Sequence, residues 1–307
     1  MDVARSGLTA AQVQLDTTAH NIANVNREGY SRQRAELLTR LPITFQFGQV
    51  GRGVQIDNII RIRDPFLDQA FRSQVPGLGS AELTAGYYRL IDGIFLEPGG
   101  NGFGTRLGQF FDALNDFANN VESFPVREAL VAETRQIALS FNDIAQRFTT
   151  LRSNANEEIR SLVPRVNSLA ERLASLNQQI VRAEANLTNA NDLRDERDRL
   201  LDELARIVNI SVVELDKQVN VFVGNEALVE GVLWNEIEAV RNPSLDPDRE
   251  DLLEVQFVRN GVALDIRDGE LFGALNVRDN IIPDHNERLD TIANALIGAI
   301  NSIHSQA

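Results

Sequence analysis

The stretch "IRSLVPRVNSLAERLASLNQQIVRAEANL", residues 159–187, has the spacing of a long amphipathic helix. Its apolar side chains recur in steps of three and four residues, the repeat of a coiled-coil stripe. The stripe consists of Ile159, Leu162, Val166, Leu169, Leu173, Leu176, Ile180, Ala183 and Leu187. Pro164 lies inside it and predicts a kink or break near residue 160. Four heptads of this kind predict a long helix packed against other helices.

Three other segments have the same helical periodicity. Their apolar stripes run from Leu107 to Val121, from Leu130 to Phe148, and from Leu289 to Ile303. We expect the central leucines of the long stripe to be buried against the first and third of these stripes. Those leucines are Leu169, Leu173 and Leu176.

The segment before these helices is more interrupted. Residues 37–63 have the composition of extended structure and turns, and a helical pattern begins at Asp64-Pro65. Pro76, with glycines at 77 and 79, is expected to break that helix. Glu97–Gly104, "EPGGNGFG", is a predicted loop.

The period changes after residue 207. The short runs "ISVVEL", "VNVFV", "LLEVQFV" and "VALDI" are rich in β-branched residues and predict strands. Asp216–Gln218 and Asn260-Gly261 lie where hairpin turns are expected, and Pro243 and Pro247 flank an acidic loop. The sequence therefore predicts a small antiparallel β subdomain within a helical protein.

The predicted fold class is mainly α with a small antiparallel β subdomain (α+β), its long helices packed as an elongated coiled-coil-like bundle. We divide the chain into five segments by their periodicity. They are an N-terminal helix and polar turn (1–35), an extended connector (36–63), a helical rod domain (64–207), the β subdomain (208–267) and returning helices of the rod domain (268–307).

Composition excludes several classes of protein. The net charge of −14 opposes binding to nucleic acid or to anionic membrane surfaces. The chain has no cysteine, so disulfides, thiol catalysis and cysteine-based metal sites are excluded. No apolar run reaches the ~18 residues of a membrane span, and the N-terminus does not resemble a cleaved signal peptide.

No catalytic or metal-binding pattern is found in the sequence. The three histidines, His20, His285 and His304, have no second ligand at helical spacing. The glycine-rich runs do not lie between a strand and a helix, as a phosphate cradle requires. Aspartates and arginines alternate in "NDLRDERDRLLDEL", residues 191–204, which predicts local ion pairs on a solvated helix face. We therefore expect no enzyme activity and no cofactor.

The N-terminal segment combines an apolar stripe with an asparagine-rich end. Leu8, Leu15 and Ile22 recur every seven residues, and a lone short helix with such a stripe is marginal in water. The stripe predicts a partner helix. Asn21, Asn24 and Asn26 then precede Gly29 and Tyr30, and asparagine and glycine favour an exit turn. These eight residues are the candidate assembly interface.

The N-terminal stretch "SGLTAAQVQLDTTAHNIANVNREGYSRQR" (Ser6–Arg34) resembles the signature of bacterial flagellar axial proteins. Arg27-Glu28 stands where that signature has Thr-Pro. The end of that stretch, "GYSRQR" (Gly29–Arg34), resembles the hook-associated protein 1 family in particular, as do three later stretches. They are "FPVREALVAETRQIALSFN" (Phe124–Asn142), "LNQQIVRAEANLTNANDLRDERDRLLDELARIVNISV" (Leu176–Val212) and "DGELFGALNVRDNIIPDHNERLDTIANALIGAINSIH" (Asp268–His304).

The resemblance implies a structural protein of the hook–filament junction, which polymerises through its N- and C-terminal helices. It implies export by the flagellar type III system, without a cleaved signal peptide, to an extracellular position in the flagellum. The implied partners are copies of the protein in a ring, the hook protein, a second junction protein or the filament side, and an export chaperone. Neither nucleic acid nor membrane insertion is expected.

The resemblance further implies that the chain is an N-terminal piece, with the rest of an outer β domain and a C-terminal helix missing. Without that helix, we expect residues 1–30 to be largely disordered in isolation, or ordered only by pairing. Two alternatives remain open at this point. One is another axial protein, of the hook or distal rod, although these are β-rich outside their terminal helices. The other is a cytoplasmic coiled-coil scaffold.

Overall fold

The computed structural model describes residues 2–95, 102–186, 188–245 and 252–305 of the 307-residue chain. Helices predominate in these residues, and the strands are short and antiparallel. The prediction of a mainly α fold with a small antiparallel β part is therefore confirmed. Leu187, most of the loop Glu97–Gly104 and the Pro247 end of the acidic loop lie outside the described residues, as do the side chains of Ile303 and His304.

Helices account for most of the described chain. They are α1 Asp2–Ala23, α2 Pro65–Phe95, α3 Phe103–Asn119, α4 Phe124–Ala183, α5 Asn191–Ile207, α6 Glu270–Asn276 and α7 Ile282–His304. A 3-10 turn, Glu184–Asn186, follows α4, and a π-helical turn, Val277–Ile281, connects α6 to α7.

Within the described residues, the strands form four small sheets. They are β1 Gln33–Thr39, β2 Ile43–Phe45, β3 Gly48–Val50, β4 Val54–Arg61, β5 Ser211–Leu215, β6 Gln218–Val223, β7 Glu226–Glu230, β8 Leu233–Trp234, β9 Ile237–Arg241 and β10 Leu253–Phe257. β1 pairs with β4, β2 with β3, and β9 with β10, while β5, β6, β7 and β8 form one sheet in that order.

The chain divides into two compact units. The first unit comprises Met1–Gly77, Val163–Glu238 and Val255–Gly269. The second comprises Leu78–Leu162, Ala239–Glu254 and Glu270–Ala307. The five segments drawn from the sequence, and the boundaries between them, remain predictions.

In the first unit, α1 packs on the ribbon that β1 and β4 form. The buried face of α1 carries the small side chains of Ser6, Ala10 and Thr17, which allow a close approach to the strands. Gly53 (φ +85°) lies so close to Ser6 that a Cβ there would overlap the serine Oγ. α1 therefore has two distinct faces. Small residues pack on the ribbon, and the apolar stripe that begins at Leu8 is exposed. The expectation that residues 1–30 are largely disordered in isolation, or ordered only by pairing, stays a prediction that hydrogen exchange on a monomer can test.

The long helix α4 has no break. Pro164 lies inside it, with its ring exposed, and the neighbouring Leu162 and Val166 are fully buried. Pro76 likewise lies inside α2, so the break predicted there is also wrong. At Pro164, burial of the flanking apolar residues offsets the backbone hydrogen bond that a proline removes.

The C-terminal part of α4 carries the predicted stripe and holds the strands of the first unit. From Ile159 to Ile180 the stripe is buried, whereas Ala183 is exposed. Asn177 donates two hydrogen bonds, to the carbonyls of Val219 at 2.8 Å and Gly231 at 2.7 Å. A buried asparagine on the helix therefore anchors β6 and the turn after β7.

The β subdomain follows the prediction in part. Asp216 and Lys217 have φ values of 47° and 74° and connect β5 to β6, as a two-residue hairpin turn requires. The run "VALDI" forms only a single bridge, between Ala263 and Gln256, and the strand partner of β10 is β9. The amide of Phe257 donates to the carbonyl of Val262 at 2.9 Å, and the amide of Leu264 donates to the carbonyl of Val255 at 2.8 Å. The hairpin predicted around Asn260-Gly261 is therefore present, although "VALDI" does not form a full strand.

The core of the second unit is built on the N-terminal part of α4. Leu289 of α7 belongs to a buried cluster with Ile144, Phe148 and Leu151. The prediction that the Leu289 stripe covers Leu169–Leu176 is therefore wrong, because these leucines are buried within the first unit. Periodicity identified both stripes but not their pairing.

Candidate assembly interface

Asn21 connects the end of α1 to the start of β1. Its Nδ2 donates to the carbonyl of Gln33 at 2.9 Å, and its Oδ1 accepts from the amide of Gln33 at 2.8 Å. The same oxygen accepts the hydroxyl of Tyr30 at 2.7 Å. One asparagine therefore fixes both the turn and the strand that follows it.

Tyr30 lies between α1 and α5. Its ring meets His20 edge to face, with centroids 5.6 Å apart. Burial and the negative charges of Asp192 and Asp195 raise the pKa of Tyr30, so its hydroxyl stays protonated and donates to Asn21. The predicted Asn21 and Tyr30 are thus brought together.

Gly29 is required for two reasons. Its φ of +78° lies in the left-handed region, which side chains disfavour. A Cβ at this position would lie 3.1 Å from the Cβ of Arg199 on α5. The turn therefore passes close to α5.

The other two predicted asparagines do not contribute in the same way. Asn24 donates to the carbonyl of His20 at 3.0 Å, within the last turn of α1. Asn26 is exposed, and its side chain makes no hydrogen bond within the described residues. Only Asn21 connects separate elements.

Gln33 extends the connection to α5. Its Nε2 donates to Asp192 at 2.8 Å, and its Oε1 accepts from Asn191 at 3.2 Å. Asn191 also donates to the carbonyl of Ile59 on β4 at 2.8 Å. The beginning of α5 is therefore held to both strands of the ribbon.

Four aspartates on α5, Asp192, Asp195, Asp198 and Asp202, form what we call the acid row. Asp195 accepts the amide of Ser31 at 3.0 Å and, from Arg61, a hydrogen bond of 2.8 Å. Arg61 also donates to Asp198 at 2.7 Å. Asp195 and Asp198 are buried, so the solvated face predicted from the sequence is wrong.

Two further arginines complete the network. Arg72 of α2 donates to Asp202 at 2.6 Å and to Asp198 at 3.2 Å. Arg63 donates to Asp68 at 2.6 Å and lies 3.6 Å from both Asp198 and Asp202. The acid row therefore binds arginines that are more than a hundred residues away in the chain. The spacing of residues 195, 198 and 202, which places them on one helix face, is the feature of the sequence that indicates this network.

The arginines decide the ionisation of Asp198. Burial alone would raise the pKa of this carboxyl, but the positive charges of Arg61 and Arg63 hold it below its ordinary value. For Asp202, burial outweighs the attraction of Arg72, and its pKa is raised. The centre of the acid row is therefore a charged group stabilised by its surroundings.

The stripe predicted for assembly lies on the open side of α1. We call Leu8, Leu15 and Ile22 the α1 stripe; they are 73%, 70% and 68% exposed. A groove of about 790 Å³ beside it is lined by Ile22 and Val25 together with residues of the turn and β1. The arrangement presents apolar surface on a helix that the network behind it fixes in place.

No cluster of three His, Asp or Glu side chains suited to holding a metal ion occurs in the described part of the chain. In the same residues, every helix is too short or too polar to cross a membrane.

Comparison with models of known protein families shows the family to which the chain belongs. The family model described as "flagellar hook-associated protein FlgK helical domain" matches residues 88–307, more than two thirds of the chain. The chain belongs to the FlgK family. A second model, "flagella basal body rod protein", matches residues 1–30, which contain α1 and its turn. The chain is therefore a flagellar component.

Relatives within the FlgK family match most of this chain. It is 35% identical to flagellar hook-associated protein 1 of Bacillus subtilis over 219 residues, which cover 69% of this chain and 43% of the relative. It is 30% identical to flagellar hook-associated protein 1 of Escherichia coli over 310 residues, which cover 98% of this chain and 56% of the relative. The chain thus spans about half the length of these relatives.

A solved structure of the FlgK family has the same fold. The flagellar hook junction protein FlgK from Burkholderia pseudomallei superposes with a TM-score of 0.56 at 24% identity. The match covers 69% of this chain and 39% of that structure.

Proposed function

We propose that the protein containing this chain is a structural, non-enzymatic component of the junction between hook and filament. The observation that carries the proposal is the combination of an exposed α1 stripe with a buried network behind it. Asn21, Gln33 and the acid row fix the orientation of α1 without using the stripe. Membership of the FlgK family supports the same role.

The α1 stripe is the proposed polymerisation surface. Leu8, Leu15 and Ile22 follow a seven-residue repeat, which favours packing against another helix. Apolar side chains exposed to this degree on a well-formed helix are typical of an interaction site. We propose that a C-terminal helix of the complete protein and neighbouring subunits cover this stripe, with Asn24 and Asn26 at the rim and Asn21, Gly29 and Tyr30 as its support.

The proposed partners follow from this role. They are copies of the protein in a ring, the hook protein, a second junction protein or the filament side, and a type III export chaperone. The proposed location is outside the cell, after export without a cleaved signal peptide. Neither nucleic acid nor a membrane is a proposed partner, in keeping with the net charge of −14.

Deletion of the gene in the parent organism tests the role. We expect electron microscopy to show hooks of normal length without filaments, because filament subunits then have no junction on which to assemble. Normal filaments on the deletion strain would refute the proposal.

Substitution of the stripe tests the mechanism in the full-length protein. Leu8→Ser with Leu15→Ser should abolish complementation of the deletion, while the amount of protein released into the medium stays unchanged. Thr9→Ser with Asp16→Ser, at exposed positions beside the stripe on the same helix, is the matched control and should restore filaments. Equal complementation by both variants would show that the stripe is not an assembly surface.

A further inference from the structure

The hairpin of β2 and β3 is an apolar projection without a partner in the described chain. All residues from Leu41 to Val50 are exposed, and Phe47 at its tip is 83% exposed. The rings of Phe45 and Phe47 stack with centroids 5.1 Å apart. A two-stranded hairpin is marginal in water, and aromatic side chains at such a tip are suited to burial against another surface.

The base of the hairpin is firmly held. Beyond the last β1–β4 pair, Thr39 and Val54, the amide of Arg40 donates to the carbonyl of Gly53 at 3.0 Å. Ser6 of α1 accepts the amide of Val54 at 3.3 Å. The hairpin therefore continues a ribbon that is already packed, and its tip is presented in a defined direction.

The charge of the hairpin is opposite to that of the whole chain. Residues 38–54 contain Arg40 and Arg52 and no acidic residue, whereas the net charge of the chain is −14. Neither arginine forms an ion pair within the described residues. A basic, apolar hairpin is complementary in charge to an acidic protein. Another copy of this chain is such a protein.

A complementary patch lies at the start of α2. Phe66, Leu67 and Phe71 are exposed there, Phe66 to 82%. Asp64 precedes them, accepts the amide of Phe66 at 2.9 Å as a helix cap, and forms no ion pair within the described residues. The hairpin and this patch are both exposed in one chain, so they do not cover each other.

We propose that the β2–β3 hairpin of one copy docks on the Asp64–Phe71 patch of the next copy. Contact between two hairpins would place arginines against arginines, so the pairing of unlike surfaces is favoured. Such a heterologous contact leaves one hairpin and one patch free at each end of a pair, and it generates rings or helical arrays. The inference rests on the proposed function, because it describes how copies join within the junction.

Disulfide crosslinking tests the contact: the 307 residues of this chain contain no cysteine, and any cysteine elsewhere in the full-length protein is first replaced by serine. Full-length protein carrying Phe47→Cys and Leu67→Cys is assembled on cells, and isolated flagella are oxidised. We expect a ladder of crosslinked multimers, since each copy offers one cysteine to each neighbour. Each single variant should give no ladder, and neither should Phe47→Cys with Leu215→Cys, whose second position is exposed on another hairpin.

The charges are tested in the same flagella. Arg52→Glu or Asp64→Arg alone should lower the crosslinking yield by about fivefold, the effect of roughly 1 kcal/mol, and the two together should restore it. A crosslink within a single chain would show that a segment of the same chain covers the patch. A crosslink to a different flagellar protein would show that the partner is not a copy. Either result, or no crosslink in assembled junctions, would overturn the inference.

Immunogold labelling separates this inference from the proposed function. Label at the tips of hooks without a multimer ladder would contradict the docking contact alone. Absence of the parent protein from the hook tips would contradict the proposed function itself.

Discussion

The side chain of Asn21 binds the backbone of Gln33 twice, donating to its carbonyl at 2.9 Å and accepting from its amide at 2.8 Å. These are the two hydrogen bonds that a neighbouring strand residue would supply. The end of α1 therefore serves as a pairing partner for the first residue of β1, and it adds to the packing of Ser6, Ala10 and Thr17 on the ribbon.

Replacement of this residue should loosen that coupling. Asn21→Ala leaves the amide and carbonyl of Gln33 and the hydroxyl of Tyr30 without partners, and we expect a loss of about 1–3 kcal/mol in the free energy of unfolding. Urea titration and hydrogen exchange at the Gln33 amide measure the effect. Asn26→Ala, at an exposed position in the same turn, is the control and should change little. Equal effects of the two substitutions would contradict the assigned role of Asn21.

Substitutions at Gly29 and Gly261 allow the cost of backbone strain to be measured separately from the cost of steric crowding. Both have positive φ, +78° and +67°, but a Cβ at Gly29 would crowd Arg199, whereas nothing lies within 4 Å of a Cβ at Gly261. We expect Gly261→Ala to cost about 1–2 kcal/mol from backbone strain, and Gly29→Ala to cost more. Thermal unfolding compares them. A smaller cost at Gly29 would mean that the turn moves away from α5 easily.

Asp198 should be the most costly member of the acid row to neutralise. It is buried and accepts hydrogen bonds from Arg61 and Arg72, so Asp198→Asn removes one of the two carboxylates that each of these arginines contacts. We expect a loss of about 3–5 kcal/mol. Glu203→Gln, which removes a partly exposed ion pair with Arg199 on the same helix, should cost less than about 1 kcal/mol. Similar losses for Asp198→Asn and Glu203→Gln would show that burial does not increase the contribution of an ion pair to stability.

The cost at Asp198 should depend on pH in a defined direction. Its pKa is lower in the folded chain than its ordinary value of 3.8, so the carboxylate stabilises the fold at every pH above 3.8. That contribution is lost as the pH falls through the lowered pKa. The difference between the parent chain and Asp198→Asn should therefore be full at pH 7 and shrink below pH 3.8. A difference that grows towards acid pH would contradict the lowered pKa.

Asp202 should behave in the opposite way. Burial raises its pKa, so its protonated form is favoured by folding, and that contribution is lost as the pH rises through the raised pKa. Asp202→Asn should therefore cost less at pH 7 than Asp198→Asn, and the two variants compared across pH in the same titrations check this order.

Apolar periodicity predicted the features that depend on local pattern. The stripe Ile159–Ile180 is buried, and α1 ends at the predicted asparagine-rich turn, because repeats of three and four residues place side chains on one helix face. The same pattern cannot show which stripes meet. Leu289 packs against Ile144 and Phe148 because the tertiary fold places α7 beside the N-terminal part of α4. The spacing of apolar residues along one helix does not indicate which other helix will pack against it.

The acid row could not be assigned from local rules either. Alternating aspartate and arginine on a helix ordinarily form pairs with each other in water. Here Asp195 pairs with Arg61, 134 residues earlier in the chain, and not with an arginine of its own helix. Arg61 is within reach because it lies at the end of a strand packed on α5. The buried partner of a charge is decided by tertiary structure, and the sequence shows only that the aspartates share a face.

Leu173 tests whether the long stripe stabilises the first unit. It is fully buried on α4, whereas Leu139, on the same helix, is largely exposed. Leu173→Ala removes buried methyl groups and leaves a cavity, so we expect a loss of about 2–5 kcal/mol in the free energy of unfolding. Leu139→Ala has the same change in composition and should stay within about 0.5 kcal/mol of the parent chain. Hydrogen exchange of the α4 amides around Leu173 then shows which part of the helix loses protection. An unchanged thermal midpoint for Leu173→Ala would mean that the stripe, although buried, is not what holds α4 in the first unit.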